Sequence, residues 1–287
     1  MKYFMILMML LASTLARAED VPVITRFQPS SPSYQSMLFF VKKLNETQTQ
    51  YNFIAQSVPG AGGETADQRS LFLGRNGSKH VWYGPISSFT LNRFEIGNTY
   101  DRDNDFYFIR SFLTTYQSLV VSKQSNIKTL DELVTHLRNK DKNFFGVPME
   151  IGAARFLNNI FVKHYNVNSN MIRYKDFAEI SLALNNKELD YSIMTHPSVG
   201  GSLLEVEITK ENFNRIPEFQ YETLSSFAVP KELKTFGEII IPMFVSLCGN
   251  KELIETFKKL RYEETCYNDA HIKRKIIEEV ALIKKFQ

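Results

Sequence analysis

The run VITRFQPSSPSYQSMLFFVKKLNETQTQYNFIAQSVPGAGG, residues 23–63, decides the architecture of this chain. Val23–Phe27 is a short β-branched and aromatic run, which predicts a strand. The proline and serine cluster Gln28-Pro29-Ser30-Ser31-Pro32-Ser33 interrupts it, and Met37, Phe40, Val41 and Leu44 then recur at helical spacing. A second strand-like run, Asn52–Val58, ends in Pro59-Gly60-Ala61-Gly62-Gly63. Strand, helix and strand joined by turn chemistry is the repeating unit of a parallel α/β sheet.

The alternation continues outward from this stretch. Strands are predicted at 80–83, 118–122, 143–147, 171–174, 190–194 and 239–247, with helices between them. Thr129 followed by Glu132 is a capping-box pattern ahead of Leu133 and Leu137, so a helix is expected over Thr129–Asn139. Gly152–Tyr165 places Phe156, Leu157, Ile160, Phe161 and His164 on one helical face, and Asp269–Lys284 repeats the pattern. No internal repeat and no low-complexity linker is present, which excludes a solenoid or a string of modules.

The first eighteen residues have the order of a secretory signal peptide. Lys2 supplies the positive start, Phe4–Leu15 a mostly apolar run, and Ala16-Arg17-Ala18 an A-x-A cleavage site. The apolar run is too short to cross a hydrocarbon core, which needs about 20 residues, so cleavage after Ala18 and release into the periplasm are expected. Neither cysteine stands near residue 18 to accept a lipid. Residues 1–18 contain Lys2, Arg17 and no acid, so the mature chain carries 32 basic and 31 acidic residues, a net charge near +1. That balance argues against a nucleic-acid partner. The 269 mature residues suffice for two lobes of ordinary size. Cys248 and Cys266 stand either as a disulfide permitted by an oxidising compartment or as two buried thiols; spacing does not choose between them.

No G-x-S-x-G, H-E-x-x-H or phosphate-loop motif is present, and the five histidines are dispersed. Ser125-Asn126-Ile127-Lys128 matches S-x-x-K but falls in a turn rather than at a helix start. Two cysteines and scattered histidines do not make a zinc site, and no cofactor is expected. Three strand-to-helix junctions have binding chemistry instead. Ser30, Ser31, Ser33 and Tyr34 present hydroxyls and open N–H groups at a helix N-terminus, a setting that holds anions. Gly152, Ala153 and Ala154 leave the backbone of a second junction accessible, and Arg155 in the first turn offers a planar fork for a carboxylate, or else is a solvated surface arginine. Gly84 marks a third strand end, and the Gly60–Gly63 cluster is either the rim of a cleft or a tight turn with close packing of helix on sheet.

In order and spacing these motifs resemble the substrate-binding proteins of tripartite tricarboxylate transporters, also called Bug proteins. The resemblance runs from Ile24 to Val280 through Pro29–Ser33, Pro59–Gly63, Asn76-Gly77-Ser78, Tyr100-Asp101, Asp105-Phe106, Leu119–Val121, Lys128–Leu133, Gly146, Gly152, Tyr174-Lys175 and Leu189-Asp190. It implies the two-lobed type II periplasmic binding protein fold, with a discontinuous first lobe (19–115 and 237–287), an inserted second lobe (116–236) and crossings near Tyr116 and Phe236. It implies a monomeric receptor, not an enzyme, which closes on a small carboxylate and delivers it to integral membrane transporter components. A periplasmic sensor or a secreted enzyme on the same fold are the alternatives. The chain departs from the family where Ser30-Ser31 and Tyr34 replace a Gly-Gly pair and an acid, where Ala153 and Phe156 stand in the second-lobe loop, and where Ile240–Met243 replace a tryptophan at the return strand. Residues 197–237 carry no assignment.

Overall fold

The computed structural model describes residues 18–95, 105–148, 152–208 and 221–286. The signal segment up to Arg17, Tyr100-Asp101 and Met149–Ile151 therefore lie outside the described residues. Glu19, the expected mature N-terminus, is the first residue of strand β1 (Glu19–Thr25). β1 pairs in parallel with β2 (Tyr51–Ser57) and β3 (Val81–Pro85), and α1 (Pro32–Thr47) and α2 (Glu64–Arg75) connect them. Ser31 caps α1, its Oγ accepting from the Tyr34 N–H, while Pro32 occupies the first turn, where no N–H is needed.

Everything else depends on β4 (Phe106–Ser122), a strand of 17 residues that belongs to two sheets. Its first part pairs antiparallel with β9 (Glu222–Pro230), Phe106 opposite Pro230 and Tyr116 opposite Glu222, and with the short edge strand β10 (Glu263–Tyr267). β9 also pairs with β3, completing the first sheet in the order β2-β1-β3-β9-β4 with β10 against β4. The last residues of β4 pair with β7 (Tyr191–Thr195) and β8 (Leu203–Ile208), and β7 continues through β5 (Phe144–Pro148) to β6 (Asn170–Tyr174) in parallel. Between these strands stand α3 (Ser87–Glu95), α4 (Leu130–Arg138), α5 (Ala153–Tyr165) and α6 (Phe177–Asn185). The capping box at Thr129 is formed in both directions. The result is the expected two-lobed α/β architecture.

Two expectations about the return of the chain need correction. The run 239–247 forms no strand; residues 239–245 lie in α7 (Lys234–Val245), which buries Phe236, Gly237, Ile240 and Phe244 and leaves Ile239 half exposed, and Ser246 and Leu247 form the turn that follows. Those buried positions follow a helical stripe, and the unbroken apolar run, read without its period, imitated a buried strand. The return strand is β9, so the chain re-enters the first sheet at Glu222 and not near Phe236, which is already inside the first-lobe core with Phe40, Phe112 and Phe227. Helices α8 (Lys251–Lys259) and α9 (Asp269–Phe286) finish the chain.

Two features lock the C-terminal part in place. Cys248, after α7, is disulfide-bonded to Cys266 in β10, closing a loop with a sequence separation of 18. In α9, Ile272 and Ile276 pack in the first lobe with Trp82 and Phe89, whereas Ile283 packs with Phe156, Leu157 and Tyr221 of the second. On the same helix the buried Glu279 accepts hydrogen bonds from Thr90 of α3 and from Tyr221, the residue before β9. Burial pushes the Glu279 carboxyl up to about 7 against the partial offset of these two donors.

Replacing both cysteines by alanine is expected to lower stability by about 3 kcal/mol, the loop-closure entropy returned to the unfolded chain, measured by urea denaturation. Because the Glu279 pKa is raised on folding, the native state keeps a proton that the unfolded chain has released between pH 4.5 and 7, and stability should fall as pH rises through that window. At about 1.4 kcal/mol per unit the loss is about 3 kcal/mol. Glu279→Gln keeps an acceptor for Thr90 and Tyr221 and should flatten the fall; a variant with the same pH slope as the parent would contradict this assignment.

Candidate functional site

The C-terminal ends of β1, β3, β5, β6 and β7 converge on one cleft, where ligands of open α/β sheets sit. The cleft encloses about 560 Å³ between the lobes, within the range of small-molecule sites. From the first lobe come Arg26, Phe27, Gln28 and Ser30–Ser33 after β1, with Pro85 and Ser87 after β3. The strands that cross between the lobes supply Thr115 and Gln117 of β4 and Thr223 and Ser225 of β9. The second lobe adds Pro148 and Gly152–Ala154, Lys175–Ala178 and Ser181, and Thr195 with Pro197–Gly200.

Of the residues anticipated from sequence, Ser30, Ser31, Ser33, Gly152, Ala153 and Ala154 stand in this wall. Tyr34, Gly84 and Arg155 do not. Tyr34 packs against the first-lobe core and donates its N–H to Ser31. Gly84 lies against Trp82, whose ring would be 2.4 Å from a Cβ there, so this glycine serves close packing. Arg155 is half-buried and already engaged. Part of the serine chemistry is also spent within the protein: the Ser31 hydroxyl donates to the Gln28 carbonyl at 2.8 Å, and Ser33 lies 3.3 Å from the Tyr262 hydroxyl.

The cation of the cleft is Arg26, at the C-terminal end of β1. It is 2% exposed; Nη1 donates to the Ser88 hydroxyl, and Nη2 is buried without an acceptor. Among the described residues no carboxylate lies within ion-pair distance of it. A guanidinium withdrawn from water without a counter-charge is costly. The glycine cluster explains how it fits. Gly63 caps α2 with φ 95°, a left-handed conformation, and a Cβ on it would lie 1.8 Å from Arg26 Cζ. The cluster is thus the tight turn with close packing rather than a rim of the cleft, and Gly63 is the seat of the Arg26 side chain. The signal available in the sequence was a lone arginine at the end of an otherwise apolar strand, next to a loop leading into a helix.

Around Arg26 the floor is neutral and polar. Ser87, Thr115, Gln117, Thr223 and Ser225 are all buried, and Gln117 donates to the Thr223 hydroxyl at 3.3 Å. On the second lobe, Asp176 caps α6 and accepts the N–H groups of Ala178 and Glu179 at 3.0 Å each. Lys175 beside it is exposed.

A polar cluster outside the wall has the composition of a hydrolase triad but not its wiring. Ser118 donates to Glu205 at 2.5 Å, and both meet His196 at the same ring nitrogen, Nδ1, at 3.2 and 2.9 Å. A relay requires serine and acid on opposite nitrogens of the imidazole. Arg261 of the first lobe completes the cluster, pairing with Glu205 and lying 3.1 Å from His196 Nδ1. Burial alone would raise the Glu205 carboxyl, but hydrogen bonds from His196, Ser118 and Arg261 outweigh it and hold the group at about 2. The cluster therefore ties β8 and the turn after β7 to the first lobe, beside the shared strand. The second serine–histidine contact, Ser70 with His80 Nε2 at 2.7 Å, is wholly buried and out of reach of a substrate.

No family model matches the chain, and no curated protein matches it. Solved structures do. Rpa4515 of R. palustris, described with adipate, superposes with a TM-score of 0.80 at 14% identity, covering 95% of this chain and 97% of the other. MatC from Rhodopseudomonas palustris, with bound malate, gives 0.81 at 12% identity over 93% and 98%. The periplasmic binding protein BugD gives 0.78 at 13% identity over 93% and 96%. The fold of this chain, over nearly its whole length, is that of these two-lobed periplasmic binding proteins.

Proposed function

We propose that this protein is a periplasmic receptor that captures a small organic acid between its lobes and passes it to a membrane transporter. The observation that carries the reading is the buried Arg26, whose Nη2 has no acceptor, in the wall of a cleft built from the strand ends of both lobes. A carboxylate entering the floor supplies the missing acceptor, and charge-assisted hydrogen bonds of this kind are the strong ones. The adipate and malate bound by Rpa4515 and MatC support a carboxylate as the ligand class. The expected signal segment supports export, and among the described residues no helix is long and apolar enough to cross a membrane. Delivery to a transporter rests on the resemblance in motif order, and a sensor output would use the same cleft.

Binding without turnover fits the wall chemistry. Among its described residues there is no histidine, cysteine or glutamate, and its one aspartate is occupied at a helix cap. Closure of the lobes then draws its free energy from contacts made on both sides at once. The Arg261–Glu205 pair limits how far the lobes can move, since it joins β8 to the turn before β10.

A thermal-shift series of the mature protein with carboxylic acids should give a saturable rise in melting temperature for at least one acid, since a ligand of the native state stabilises by mass action. Chemical conversion of that acid would contradict the receptor reading. Arg261→Ala should weaken capture about fivefold, the equivalent of about 1 kcal/mol for a partly exposed ion pair, and raise the ligand-free radius of gyration in X-ray scattering. Unchanged affinity and scattering would show the pair to be incidental. The depressed Glu205 pKa makes this brace complete above pH 4.5 and lost as pH falls through about 2.

A further inference from the structure

We infer that the ligand carries a single ionised carboxylate on an apolar body, and that Arg26 is the residue that selects it; this rests on the receptor reading above. The charge inventory of the cleft is the basis. Among the described residues its buried part holds one cation, Arg26, whose Nη2 has no acceptor. The remaining floor groups are hydroxyls and one amide, all neutral and buried. Among the described residues of the wall the only other basic group is Lys175, which is exposed and adjacent in sequence to the only carboxylate there, Asp176.

These facts discriminate between one acid group and two. A first carboxylate gains a desolvated guanidinium. A second would lose its water against neutral or apolar surface, or reach an exposed ammonium whose field Asp176 opposes, and exposed pairs contribute little. The surface facing the ligand body is instead Phe27, Pro148, Ala153, Ala154, Phe177 and Val199. Burying an aliphatic or aromatic chain there is favourable in proportion to its area. The selectivity therefore differs from that of a site built for both ends of a dicarboxylate.

The test is calorimetric titration of the full mature protein with matched sets: straight-chain and aromatic monocarboxylates of four to ten carbons, the dicarboxylate of equal carbon number, and the corresponding primary amide. The inference expects at least one monocarboxylate to bind ten- to a hundredfold more tightly than both its dicarboxylate and its amide, the range of a charge-assisted bond to a buried group. Arg26→Gln should abolish most of that preference over the amide; should this variant fail to fold, the matched sets on the unaltered protein decide alone. Dicarboxylates binding as tightly as their monocarboxylate partners would overturn the single-acid inference and leave the receptor reading standing. Amides binding as tightly as acids would remove Arg26 as the selecting group. Binding of no acid in any set would overturn both readings.

Discussion

A single strand shared by two sheets constrains this molecule more than any other element. The 17 residues of β4 are paired with β9 and β10 in the first lobe and with β7 and β8 in the second, so neither sheet forms without it. Where the two sheets meet on β4, Thr115 and Gln117 face the space between the lobes, joined by Thr223 and Ser225 of β9. The binding floor is thus made from the connecting strands themselves. On the receptor reading proposed above, a ligand held there would touch the strands that join the lobes, coupling occupancy to closure without any additional device.

Placing Arg26 at that floor imposes its own requirements. The side chain needs a hydroxyl partner in Ser88 and a neighbour with no Cβ in Gly63, and both come from segments distant in sequence from β1. The left-handed turn at Gly63 and the position of α2 behind it are consequences of accommodating a buried guanidinium. The Nη2 without an acceptor is the residual cost of that arrangement, and the carboxylate we propose for the cleft would offset it. The buried Glu279, bonded to Thr90 on the helix that also carries Ser88, has the reverse character: it is an acid whose pKa is raised by burial, and it is bonded to both lobes.

Much of this was legible in the sequence, and the limits have physical causes. The alternation of strand and helix fixed the fold class, and the Thr129–Glu132 capping box appears as read, as does the face of Phe156, Leu157, Ile160 and Phe161; His164, expected on that face, is exposed one turn further on. The serine loop and Gly152–Ala154 stand in the cleft wall because strand-end loops gather there in any sheet of this kind. Ile239–Leu247 misled because a continuous apolar run has the same composition in a buried helix as in a buried strand, and only its buried positions, at helical spacing, distinguish the two. Strand β9 went unread because Glu222–Pro230 mixes serine and threonine with its apolar residues, hydroxyls that serve the cleft rather than the core. Arg155 drew attention by its place in a helix's first turn, while Arg26 fell within Val23–Phe27, the run expected as a strand; which of them is buried is a property of tertiary packing, not of local pattern.

The central claim is that a carboxylate in the cleft is held by Arg26, and a crystal structure of the mature protein grown with its tightest-binding acid tests it most directly. The account predicts a carboxylate oxygen at about 2.8 Å from an Arg26 guanidinium nitrogen, with the body of the ligand lying between Phe27 and Phe177. A carboxylate seated instead on Lys175, or on backbone N–H groups with Nη2 of Arg26 still without an acceptor, would contradict it.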